Sequence, residues 1–100
     1  MPRITRKDLD GLVARVNAIA GTPAEPYTRT ATGEYVANAG NYHLSGAYGG
    51  WALHQMCEGG GTRDVLYSGH VPARELFGLV DAFARGYYAA SAERPEFATA

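Results

Sequence analysis

The residues able to do chemistry in this chain of 100 residues crowd into one window, from Asn41 to Asp64. Tyr42, His43, Tyr48, Trp51, His54, Cys57, Glu58, Arg63 and Asp64 all fall inside it. His43 and His54 lie on what read as adjacent strands and can face one another, an arrangement suited to acid–base work or, with a third ligand, to a metal. Glu58 or Cys57 would have to be that ligand on the same face as His54, and in a strand Cys57 points the other way. The chain is therefore read with no metal site, no cofactor and no catalytic group. Gly46, Ala47, Tyr48, Gly49 and Gly50 have the glycine density of a phosphate loop, but lack the lysine and the following helix that such loops use. They read instead as a turn or bulge between paired strands. Tyr42, Tyr48 and Trp51 have two roles open to them, stacking across a sheet or forming an exposed platform for a partner. Together with His43, His54 and Arg63 they make the candidate binding set.

Composition narrows the function classes. A 46% hydrophobic, 19% charged chain is not of the disordered type. The net charge of −1 removes the broad cationic field on which non-specific nucleic-acid binding rests. A local patch of Arg29, Arg63 and Arg74, with tyrosines stacking on bases, keeps nucleic-acid or nucleotide binding as the alternative. No stretch is apolar enough to predict a membrane span. The opening residues, with Arg3, Arg6, Lys7, Asp8 and Asp10, lack the apolar core of a signal peptide. With Cys57 as the only cysteine, the expected compartment is the cytoplasm. The 13 glycines and 7 tyrosines are concentrated in the middle of the chain, where short strands and tight turns would use them.

The elements that must position these residues follow from periodicity. Leu9, Leu12, Val13, Val16, Ile19 and Ala20 recur at helical spacing, so a helix is predicted over 5–20. Thr5 and Asp8 form its capping box, Gly21 its left-handed end, and Pro23 stops it. Strand-like runs follow at Tyr27–Thr30, Glu34–Asn38, Asn41–Ser45, Trp51–Cys57 and Arg63–Ser68, with Thr32-Gly33 and Gly59–Gly61 as turns. The 27–30 run reads as either a paired strand or an extended lead-in, so three or four antiparallel strands are expected. Pro72 opens a second helix with the apolar face Leu76, Leu79, Val80, Phe83 and Tyr87, fraying near Ala89 or Ala90. Residues 1–90 then make one domain and 91–100 a flexible tail. The expected fold class is α+β, a two-layer sandwich of helix, three or four strands and helix, with both helices on one face of the sheet and the other face open.

The run from Gly40 to Phe77 carries Tyr48-Gly49-Gly50, then Gly59-Gly60-Gly61 followed by Asp64-Val65, then Arg74-Glu75-Leu76. With the opening Thr5-Arg6-Lys7-Asp8-Leu9, it resembles a family of small uncharacterised proteins encoded by tailed bacteriophages. The resemblance implies a phage product acting in the host cytoplasm and brings no activity with it. The element order is also similar to that of the double-stranded RNA-binding domain, but Pro72, Ala73, Arg74 and Glu75 stand where that domain presents a basic cluster. The functional expectation is a non-enzymatic accessory protein, a homodimer, that binds a host or phage protein through an aromatic, glycine-rich sheet face.

Overall fold

The computed structural model of the chain describes residues 3–99, with side-chain surroundings for residues 3–91. The first helix, α1 (Arg6–Ala20), starts as its sequence dictates. Thr5 accepts from the Asp8 N–H, the Asp8 carboxylate accepts from the Thr5 N–H at 2.8 Å, and Gly21 ends the helix at φ 70°. Those hydrogen bonds from Thr5 hold the Asp8 carboxyl below the usual carboxylate range. Leu9, Val13 and Val16 form its buried stripe.

Five strands follow, all paired antiparallel, and they divide into two sheets rather than one. β1 (Tyr27–Arg29) and β2 (Tyr35–Ala37) form a separate hairpin with mostly exposed side chains. It lies beside the 3₁₀ turn Glu58–Gly60. β3 (Tyr42–Ala47), β4 (Gly50–Met56) and β5 (Thr62–Asp64) form the main sheet in the order β3-β4-β5. With its side chains mostly exposed, the hairpin adds nothing to the core.

The second helix, α2 (Ala73–Thr99), runs past the end expected at Ala89 or Ala90. Ala89, Ala90, Ala92, Glu93 and Arg94 are good helix formers and no glycine follows Gly86, so the helix passes Ala90 and continues even across Pro95. Residues 91–99 of the expected tail continue α2, and residue 100 lies outside the described residues. The fold class is α+β, and the core lies between the helices and one face of the main sheet. Leu9, Val13 and Val16 of α1 meet Leu76, Val80 and Ala84 of α2 over Tyr42 and Leu53.

Asn17 joins these layers. It is buried on α1, its Oδ1 accepts from the Tyr42 N–H at 2.8 Å and its Nδ2 donates to the Tyr42 carbonyl at 2.9 Å. Both backbone groups of Tyr42 on the outer edge of β3 are thereby satisfied inside the protein.

Candidate functional site

The connection between β3 and β4 fixes which residues share a face. Ala47 pairs with Gly50, so only Tyr48 and Gly49 form the turn, with φ 53° and 73°. Positive φ at both central positions is the pattern of the hairpin turn that matches strand twist. The expected interruption at 46–50 is thus a two-residue turn, and β3 continues through Gly46 and Ala47.

From that register His43 lies opposite His54, Ser45 opposite Ala52, and Leu44 opposite Leu53. Alternation then sends Tyr42, Leu44, Leu53 and Trp51 toward the helices and His43, Ser45, Ala52 and His54 to the other face.

The segment after β5 adds the residue that the sequence reading missed. Val65 donates to the Leu53 carbonyl, and Val71 bridges Trp51 through two backbone hydrogen bonds of 2.7 and 2.9 Å. Between these two points β4 advances by Ala52 alone, while the partner chain spends Leu66 to His70. The last strand therefore ends at Asp64, short of the expected Ser68. Leu66 turns its side chain to the core, and the surplus residues form a loop with Tyr67 at φ 54° and Gly69 at φ 66°. The Gly69 N–H donates to Asp64 Oδ2 at 2.8 Å and so ties the loop to the end of β5. Such an insertion re-aims a side chain, here His70. Gly50 makes its return possible, because a Cβ there would stand 2.9 Å from the Val71 carbonyl oxygen.

His70 reaches over Ala52 and shares a hydrogen bond with Ser45, Oγ to Nε2 3.0 Å. Its ring centroid is 6.0 Å from that of His54 and 5.9 Å from that of Tyr48, and His54 is in turn 6.1 Å from His43. Tyr48, His70, His54 and His43 thus form an unbroken row of rings on the face turned away from the helices. His43 Nδ1 is 3.0 Å from Asn41 Oδ1. Partial burial, and secondly the neighbouring His54, pull the His43 pKa below the usual imidazole value, with the Asn41 contact opposing them. Asp64 lies opposite His54, and its Oδ1 is buried with no hydrogen-bond partner. The face is only partly open, since Ala52 and Met56 on it are buried.

The candidate set therefore separates. His43, Tyr48 and His54 belong to the row. Tyr42 does not: it is 6% exposed, packs against Phe83 at 5.8 Å, and burial raises its pKa. Trp51 is on the helix side, with its ring over Gly46. Arg63, on the outer strand, donates through Nε and Nη2 to Gln55 Oε1 at 2.9 and 2.6 Å. Arg29 lies on the separate hairpin near Gly33, and Arg74 in the first turn of α2. The one signal for His70 in the sequence was Val71 before Pro72, a pair that favours extended backbone beside an existing strand.

Among the described residues no group of three histidine, cysteine or acidic side chains is arranged to hold a metal ion, and no helix is long and apolar enough to cross a membrane. Comparison with protein-family models, with curated proteins and with solved structures finds no match for the chain.

Proposed function

We propose that the chain is a non-enzymatic binding protein that engages a protein partner through the ring row and the Tyr48 turn. The observation that carries this reading is Tyr48 itself. It is 98% exposed, so it contributes almost no buried area, and it holds a left-handed conformation that is unfavourable for a bulky side chain by about 1–2 kcal/mol. Tyr67, 86% exposed, repeats the combination in the loop that delivers His70. Exposed tyrosines at unfavourable backbone positions are what a partner would use, since a Tyr ring buries much area and keeps a polar tip. The resemblance to tailed-phage proteins supplies the setting, a host or phage partner in the cytoplasm, with the chain acting as a homodimer.

The test is capture by the intact protein, comparing wild type with Tyr48→Asn and His54→Ala and identifying what each retains. The reading expects one partner lost from both variants while an Arg29→Ala control keeps it; equal retention by all four would end it. Sedimentation of the same proteins reports whether the dimer depends on the row.

The 3.0 Å Ser45–His70 contact favours a second reading, a nucleophile held against its base. A sulfonyl fluoride distinguishes the two. An activated Ser45 would displace fluoride from sulfur and pass its proton to His70, whereas the binding reading expects Ser45 to stay unlabelled.

A further inference from the structure

A second site lies on the helix side of the sheet, and it stands independently of the ring row. Where α1, α2 and β4 meet, a cleft of about 620 Å³ opens between the starts of the two helices, with Trp51 among its lining residues. Arg3, Arg6 and Arg74 line it, and among the described residues no acidic one does. In a chain with 9 cations and 10 anions, three guanidiniums around one opening form a local concentration that the net charge conceals.

Arg6 lies over the tryptophan. Its guanidinium lies 5.4 Å from the Trp51 ring centroid. Trp51 in turn is laid on β3 at Gly46, where a Cβ would come within 2.9 Å of the ring. A cation–π contact of this kind restrains the guanidinium over the ring while its N–H groups stay available, and a guanidinium grips an oxyanion with two hydrogen bonds. The competing acid is Asp10, 3.6 Å from Arg6 Nε with both side chains exposed. A pair of that kind is weak and yields to a better acceptor.

We propose that this cleft binds the phosphate group of a small phosphorylated ligand, with Arg6, over Trp51, as its main anchor and Arg3 and Arg74 on the remaining oxygens. Three guanidiniums exceed what one carboxylate can use and suit a group with nearly two negative charges and three acceptor oxygens. The volume is that of a small-molecule site. A nucleic-acid polymer fits less well, because the chain as a whole, at net charge −1, does not attract one.

Trp51 is the single tryptophan, so its fluorescence reports on the cleft. The experiment titrates the full chain with inorganic pyrophosphate at low ionic strength and repeats this with Arg6→Gln and Arg74→Gln. The expected result is a saturable change in emission, weakened about tenfold in each variant, the loss expected for one charge-assisted contact. Arg74→Gln carries the test alone if Arg6→Gln lowers the melting temperature. No saturable response in the wild type, or wild-type affinity retained by both variants, overturns the proposal. A single-stranded oligonucleotide titrated in parallel supplies the remaining outcome: binding of the oligonucleotide without binding of pyrophosphate also overturns it, and assigns the arginines to nucleic acid.

Discussion

The two faces of the main sheet are made from alternate residues of the same strands, and they are built to different rules. Leu44 and Leu53 pair toward the helices, with Leu53 fully buried in the core cluster. One step along, His43 and His54 pair on the opposite face, half-buried and joined by ring contacts to His70 and Tyr48. In the core on the helix side the local choices agree with the fold: buried apolar side chains, Tyr42 backbone groups satisfied by Asn17, a capped α1. On the other side the chain accepts two left-handed tyrosines, a five-residue detour and an orphaned carboxylate oxygen. Consistency across levels marks what folds a protein, and local breaches without compensation mark what the protein keeps for another purpose.

The sharpest way to break that contrast is in the core. Leu53→Ala should cost about 2–5 kcal/mol, measured by urea unfolding, and a loss under about 1 kcal/mol would mean the helix side is not the core that its burial indicates. Asn17→Ala removes the partners of both Tyr42 backbone groups and should cost about 2 kcal/mol or more. A neutral result there would show that water reaches the edge of β3.

The pH dependence probes the other face. His43 has a lowered pKa in the folded chain, so folding favours its neutral form. Stability should be full above the ordinary imidazole value and should decline as pH falls through that value toward the lowered one. The groups facing His43 are Asn41 and, across the strand, His54; beyond His54 stand His70 and Asp64. Urea midpoints between about pH 8 and about pH 5 should show the decline, and His43→Gln should flatten it. An unchanged slope in that variant would move the effect to another member of the row.

How far the sequence led differs between the same two regions. α1 was fully legible, because Thr5, Asp8, Gly21 and Pro23 act within a few residues of one another. The α+β class also followed from pattern, as did the adjacency of the strands that carry His43 and His54, though not their register. The face of Tyr42 and Trp51 did not, because it depends on turn length. Read as a five-residue interruption, Gly46–Gly50 leaves the register open, whereas the two-residue turn at Tyr48-Gly49 settles it. The Val65-Leu66 pair looked like a strand because both residues are apolar, and both do pack on the core, from a loop. The role of His70 depends on Val71 rejoining β4 at Trp51, a contact that no local rule encodes. In the sequence Arg3 and Arg6 are only charges that break a signal-peptide core; that Arg6 lies over Trp51 is again a contact no local rule encodes.

The smallest expected effect is also the most direct test of the central claim, that the exposed ring row serves something other than folding. Asparagine tolerates positive φ far better than tyrosine, and Tyr48 gives up almost no buried area at 98% exposure. Tyr48→Asn should therefore raise the stability of the isolated chain by about 0.5–1 kcal/mol, seen as a higher urea midpoint with an unchanged slope. A lower midpoint would contradict the account, for it would make Tyr48 a part of the fold and return the whole row to structure.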